Sequence, residues 1–290
     1  MGLVAVGRVA TVFGLLAATV AMTACGERSE PTGSTVPLYP VTVTGAAGRP
    51  LAVHHPARRM AVLDPALLEA LDALGARRHV IGLPIEPNGA ITVTRLVRLH
   101  PDLIVATSSA DEVQLSRAAA AAGVPVYVAP GDSLREVEQM ITELGLIAGK
   151  PVAARRLVHR IETKRRFVNN QLDGAPAAAV FFDTGLFTPA SDQSLVGDLV
   201  REARGRNVVQ QATGPVEPSE LLRLDPRFYL TTTDSGTNLR DLRRNPSTRK
   251  LRAVRKGGFG IVDAALLAPG PRIGDGLVAI ARLLHPDAFH

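Results

Sequence analysis

Short apolar runs alternate with helix-period segments from Met60 to the C-terminus, and this alternation narrows the folds open to the chain more than any other feature. Met60–Leu63, Val80–Leu83, Leu103–Thr107, Val126–Val128, Ala177–Phe182, Phe228–Thr232 and Gly258–Val262 are nearly continuous in apolar residues. Strands of that kind are buried on both faces, as in a parallel sheet. Asp64-Pro65 starts a helix, because Asp caps the free amides and Pro in the first turn forfeits no hydrogen bond. That helix is expected to run to Leu74 and stop at Gly75. Further helical periods cover Leu115–Ala122, Ser133–Ala148, Val152–Leu172, Ser194–Ala203 and Ile273–Leu284. A small hairpin is expected ahead of them, Val41–Thr44 with Leu51–His54 around Gly45-Ala46-Ala47-Gly48.

The pattern occurs twice. Leu96-Val-Arg-Leu-His-Pro-Asp-Leu-Ile-Val-Ala-Thr107 matches Leu221-Leu-Arg-Leu-Asp-Pro-Arg-Phe-Tyr-Leu-Thr-Thr232 at 5 of 12 positions. Each reads as a helix end, a Pro-marked turn and a buried strand, which points to two similar lobes. Between them, Ala154, Leu157, Val158, Ile161, Val168 and Leu172 recur at helical spacing, with Arg155, Arg156, Arg160, Lys164 and Arg166 mostly opposite. One helix of that length spans about 30 Å, enough to cross a small domain. The expected class is therefore α/β, with parallel-rich sheets covered by helices.

The N-terminus reads as an address. Arg8 precedes an apolar run, Val9–Met22, too short for a comfortable membrane span. Small residues then lead to Cys25 in Met22-Thr-Ala-Cys-Gly26, which resembles a bacterial lipoprotein signal, although Met22 stands where Leu is more usual. The resemblance implies cleavage after residue 24 and lipidation of Cys25. Residues 25–40 are rich in Pro, Gly, Ser and Thr and read as a flexible tether.

Composition removes other classes. With 46% hydrophobic residues, the 290-residue chain can bury a core and is not disordered as a whole. A single cysteine excludes a disulfide framework and a Cys-rich zinc site. No Trp and 4% aromatics argue against nucleic-acid recognition by stacking. Basic residues outnumber acidic ones 33 to 27, and only four are lysine. That arginine bias has two readings, a GC-rich genome or a preference for anionic partners. The seven histidines show no i, i+4 pair, so neither a bare metal site nor a cofactor is expected, and His79 and His100 are expected near the core. Gly145-Leu-Ile-Ala-Gly-Lys150 is one residue short of a P-loop, and no Gly-x-Ser-x-Gly elbow is present, so no enzymatic activity is expected.

A series of landmarks recurs in order: Ala57-Arg-Arg-Met-Ala-Val-Leu-Asp-Pro-Ala-Leu-Leu-Glu69, Leu74-Gly-Ala76, Leu99-His-Pro-Asp-Leu-Ile-Val105, Ala190-Ser-Asp-Gln-Ser-Leu195, Ala203-Arg-Gly-Arg-Asn207, Pro218-Ser-Glu220 and Pro269-Gly-Pro-Arg272. Together they resemble the substrate-binding proteins of bacterial ABC importers for vitamin B12, ferric siderophores and haem, from about Val41 to Phe289. The chain departs from that pattern at Ala203-Arg204-Gly205, where the family carries Ala-Gly-Gly, and at Ile91–Arg95, which lacks the usual acid.

The resemblance implies two Rossmann-like lobes joined by a single long α-helix, the class III substrate-binding architecture. The expected boundaries are a signal peptide at 1–24, a tether at 25–40, an N-terminal lobe at 41–148, a linking helix at 149–173 and a C-terminal lobe at 174–290. Glu69 and Glu220 match the family's two glutamates that dock on permease arginines. Glu69 also lies about 200° around its helix from Leu67, which turns it to water. Ligand is expected between the lobes, at the carboxyl ends of the strands. The loops there offer Asp64, the Pro84-Ile85 turn, Ser108 and Ser109 from the first lobe, and Thr184, Phe187, Thr233 and Asp234 from the second, with Arg272 facing an anionic ligand. The expected protein is a monomer, exported and lipid-anchored to the outer face of the bacterial cytoplasmic membrane. It carries a metal chelate, with a ferric siderophore first and haem and cobalamin open, to an ABC permease, and binds no nucleic acid. A structural or sensory role at the envelope, uncoupled from transport, stays open beside it, as does an extracellular hydrolase.

Overall fold

The computed structural model describes residues 39–46, 48, 50–82, 92–209 and 214–289. The expected signal peptide, Cys25, most of the tether and the Pro84-Ile85 turn lie outside them. An antiparallel hairpin, β1 (Val41–Val43) with β2 (Leu51–Val53), opens the described chain. Then come β3 (Met60–Val62), α1 (Pro65–Ala73), β4 (Val80–Gly82), α2 (Val93–Arg98), β5 (Leu103–Thr107), α3 (Glu112–Ala122), β6 (Val126–Ala129) and α4 (Leu134–Ile147). After α5 (Pro151–Gln171) follow β7 (Ala178–Asp183), α6 (Leu195–Glu202), β8 (Gly205–Asn207), α7 (Pro218–Leu224), β9 (Phe228–Thr232), α8 (Leu239–Arg244), α9 (Arg252–Arg255), β10 (Phe259–Val262) and α10 (Ile273–Leu284).

The strands form two parallel four-stranded sheets, β4-β3-β5-β6 and β8-β7-β9-β10. The two orders are the same when each half's strands are counted from its own first. The sequence echo falls on β5 and β9, which occupy equivalent interior positions. Even the turn before each repeats: His100 and Asp225, each preceding a proline, both have positive φ, at 45° and 38°. The structure corrects His100, whose side chain is exposed, whereas His79 is buried as expected.

Strand alternation divides the core into layers. Met60 and Val62 of β3, with Val180 and Phe182 of β7, join one continuous core that also takes Leu144 and Ile147 of α4, Leu157, Ile161 and Val168 of α5, and Leu277 and Ile280 of α10. Ala61, Ile104 and Ala106 face the other way, under Leu96, Leu115 and Ala118. Phe181 and Tyr229 likewise carry Val216, Leu221, Leu242, Leu251 and Val254. The linking helix is thus sandwiched between α4 and α10 and shares one core with both lobes. Gly145 permits the α4–α5 approach, since a Cβ there would sit 2.4 Å from the Ala154 Cβ. The P-loop-like string is therefore a helix crossing, ended by Gly149 at φ +68°.

Buried polar anchors fix the remaining joints. Glu143 of α4, 8% exposed, accepts hydrogen bonds from the Thr44 and Gly45 amides, the Thr44 hydroxyl, Gln139 and the Tyr127 hydroxyl, the last at 2.7 Å. Burial alone would raise its pKa. The bonds from Tyr127, Thr44, Gln139 and Gly45 outweigh that, and the net direction is down. Across the lobes, the Asp198 carboxylate of α6 accepts the Leu134 amide at the start of α4, at 2.7 Å, and also holds Arg201.

Candidate functional site

In each half, the carboxyl ends of the strands carry loops whose side chains are held in place by neighbouring strands. In the first lobe, Asp64 follows β3. One of its oxygens caps α1 at the Ala66 amide, 2.7 Å away, and the other accepts the Thr107 hydroxyl at 3.2 Å. Thr107 also bonds Ser109 at 2.7 Å. The structure therefore brings Asp64 and Ser109 together through Thr107, with Ser108 and Ser109 exposed at the tip of β5.

In the second lobe the organising group is Asp183, at the end of β7 and fully buried. One oxygen accepts the Tyr229 hydroxyl at 2.7 Å and the Thr237 hydroxyl at 2.8 Å, and the other accepts the Gly185 amide at 2.9 Å. Burial, then the neighbouring Asp183 carboxylate, push the Tyr229 phenol far above its ordinary pKa, so it stays a donor. This one carboxylate pins both the loop after β7 and the loop after β9. On the first, Thr184 is exposed but its hydroxyl is bonded to the Thr188 carbonyl at 3.0 Å. On the second, Thr233 accepts the Ala264 amide at 3.1 Å, tying it to the segment after β10, and Asp234 is exposed.

Phe187 is half-buried against the outer layer of the second sheet, and its carbonyl accepts the Val216 amide at 2.9 Å. Its neighbour Leu186 is the side chain that projects, 81% exposed. Both have positive φ, 52° and 61°, a conformation costly for residues with a Cβ. The sequence points to the loops Asp183–Thr188 and Thr232–Asn238 and, within them, to Phe187; the structure adds that Leu186 is the exposed member of the pair and that Asp183 and Thr237 support the loops. The signal available was an apolar pair directly after a strand-ending Asp-Thr-Gly.

The lobes also meet here. A Cβ on Gly131, beyond β6, would lie 3.2 Å from Pro269, and one on Gly270 would lie 3.9 Å from the Ala66 carbonyl. Just beyond, the Arg272 guanidinium makes a two-pronged contact with Glu69 of α1, at 2.7 and 3.3 Å. Two residues assigned separate roles from sequence are thus bonded to each other, with side chains 46% and 38% exposed. They border a cavity of about 410 Å³ that Asp72, Arg160, Lys164 and Asp275 also line, and Lys164 pairs with Asp275 at 2.5 Å. Glu220, on the first turn of α7, is exposed and 3.5 Å from Arg223. Among the described residues no three His, Cys, Asp or Glu side chains are grouped to hold a metal ion, and no helix is long and apolar enough to cross a membrane.

No curated protein sequence matches the chain. Solved structures do match in fold. CeuE from Helicobacter pylori, as a nickel–histidine complex, aligns with a TM-score of 0.73 and 16% identity, covering 86% of this chain and 89% of that one. The periplasmic vitamin B12 binding protein BtuF of Vibrio cholerae aligns at 0.68 and 16%, covering 81% and 99%. The ABC-type Fe3+-hydroxamate transport system protein from Saccharomonospora viridis aligns at 0.67 and 18%, covering 84% and 99%. The family model described as periplasmic binding protein matches residues 72–265, well over half of the chain. With the two-lobe architecture and that match, the chain belongs to the periplasmic binding protein family, whose members bind solutes for transport rather than transform them.

Proposed function

We propose that this chain is an exported, lipid-anchored binding protein that takes a ferric siderophore between its two lobes and presents it to an ABC permease. The observation that carries the reading is the pair of oxygen-rich strand ends, Asp64, Ser108 and Ser109 in one lobe and Thr184, Thr233 and Asp234 in the other, each mounted on a buried scaffold. Hydroxyls and carboxylates suit the rim of a polar chelate, and Leu186 offers an apolar contact to its organic shell. Iron would arrive already wrapped, since no group of side chains among the described residues is suited to the bare ion. The anchor would be Cys25, and the chain would act alone as a monomer.

Docking would use Glu69 and Glu220. Glu69 is already engaged by Arg272, but a pair this exposed contributes only about 0–1 kcal/mol. A permease arginine can therefore replace Arg272 at small cost, and the exchange fixes orientation more than affinity. The same engagement favours a second reading, an envelope-binding lipoprotein uncoupled from transport, because one docking key is occupied in the free protein.

The test is a thermal-shift screen against ferric hydroxamates, ferric catecholates, haem and cobalamin. A ligand at a hundredfold its Kd adds about 2.7 kcal/mol, or roughly 5–10 °C for a domain of this size. A shift with a ferric siderophore supports the proposal. A shift with haem or cobalamin alone replaces the cargo, and binding to envelope material alone supports the second reading.

A further inference from the structure

The chain's surplus of positive charge is confined to one segment. Residues 239–256 hold eight of the 33 basic residues and one of the 27 acidic ones, which leaves the rest of the chain with 25 cations against 26 acids. A genome-wide bias toward arginine codons would enrich arginine over lysine throughout. It would not remove the acids from this one stretch.

The fold turns the segment into a face. Leu242, Leu251 and Val254 pack beneath it on Phe181 and Tyr229, the outer layer of the second sheet. The cations point the other way, and all eight, from Arg240 to Lys256, are exposed. Among the described residues none of them forms a side-chain ion pair or hydrogen bond. The one acid, Asp241, is occupied by Asn238 at 2.7 Å. So many unpaired like charges on one 18-residue segment repel one another, at a cost to the folded state that an anionic partner would relieve.

A cavity of about 350 Å³ opens into this face. Arg227, Arg252 and Lys256 line it, with Phe228, the Gly257-Gly258 backbone and Pro286. The Arg227 guanidinium is steadied over the Phe228 ring at 5.2 Å. Of the acids that adjoin the lining in sequence, Asp225 accepts the Arg252 amide at 2.8 Å, and Asp287, which follows Pro286, is engaged in an interaction of its own. Three cations around a pocket with no acid in its lining suit one phosphate group. The pocket lies where β9 and β10 begin, at the opposite end of the sheet from the proposed cargo site. Tyr39, where the tether would enter the body, is likewise near the starting end of its own sheet, beside Pro56 and Gly149.

We infer that this cationic face binds the anionic phospholipid surface, with a headgroup phosphate in the Arg227–Arg252–Lys256 pocket. The choice of a bilayer rests on the proposed membrane anchoring, while the charge and the pocket do not. Held at its tethered, cationic end, the free body would keep its cargo site turned to the outside for capture, and docking through Glu69 and Glu220 would follow release of this face from the lipid.

The test uses the chain from Gly26 onward, which keeps the whole core described above and has no acyl site. Its flotation with vesicles containing phosphatidylglycerol is compared with pure phosphatidylcholine. Binding is expected to the anionic vesicles only and to weaken with salt. Arg252→Glu with Arg255→Glu and Lys256→Glu should weaken it at least about 100-fold, at roughly fivefold per cation lost before the repulsion of the three new carboxylates is counted. Arg95→Glu with Arg98→Glu and Arg117→Glu, exposed positions in the other lobe, make the same change in net charge and should weaken it less than about threefold. Equal losses in the two triple variants, no binding to anionic vesicles, or binding of inorganic phosphate without vesicle binding would each overturn the inference. Mass spectrometry of Cys25 in the producing cell reports the anchor separately, so the two failures are distinguishable.

Discussion

Asp183 is the residue on which the second lobe's proposed cargo loops should most visibly depend, although it is itself fully buried. Asp183→Asn preserves its size and removes its charge. The new amide nitrogen would face either the Gly185 amide or the Tyr229 and Thr237 hydroxyls, all donors in the wild type. Net hydrogen bonds to a charged group are worth about 1.5–3 kcal/mol each, and hydroxyls can rotate to recover part of the loss. The variant should therefore lose about 3 kcal/mol, roughly 6–12 °C in melting temperature. Tyr229→Phe removes one bond and leaves the carboxylate two donors, so it should lose about 1.5 kcal/mol. Because the two residues share one bond, the double variant should lose about 3 kcal/mol rather than the sum. Urea unfolding of the four proteins gives the cycle, and cargo titration in parallel should show weaker binding in Asp183→Asn although no ligand reaches it. Additive losses, or unchanged cargo affinity with the expected destabilisation, would refute the scaffold role.

Glu143 makes a pH prediction. Its folded pKa is depressed, so its contribution is present above the unfolded value of about 4.3 and is lost as pH falls through the folded value. Wild type should exceed Glu143→Gln by about 2 kcal/mol at neutral pH, and the gap should close on acidification in chemical denaturation from about pH 7 to about pH 3; a gap independent of pH would contradict this. At the joint between lobes, Asp198→Ala strands the buried Leu134 amide and should cost about 2–3 kcal/mol. Asp198→Asn, which keeps an acceptor, should cost about half as much, and equal midpoints for the two variants would place the energy elsewhere.

Elements with strong local signals were legible in the sequence. β5, β9 and α10 have the bounds that their apolar runs and helical period indicate, and Asp64, Ser133 and Ser194 cap the helices they precede. β8 was not legible, because Gly205-Arg-Asn207 is short and polar. What makes it an edge strand is packing: a Cβ on Gly205 would come within 3 Å of Val200 and Leu284. α8 and α9 were missed for a related reason, since between their charges only Leu242, Leu251, Ala253 and Val254 give a period. At the candidate site, the sequence located the loops but not what holds them. The Glu69–Arg272 contact joins residues 203 positions apart, and the Asp183 network converges from two strands, so neither could appear as a local pattern.

The central claim is that cargo is gripped by the strand ends of both lobes at once. The most direct measurement is the affinity for the ferric chelate that raises the melting temperature most, in wild type, Ser109→Trp and Thr233→Trp. One bulky side chain in either lobe should weaken binding at least tenfold, by about 1.4 kcal/mol or more, with the affinity measured well below the melting temperature of each free variant. Full affinity in both variants, or a loss confined to one lobe, would contradict a site shared between them.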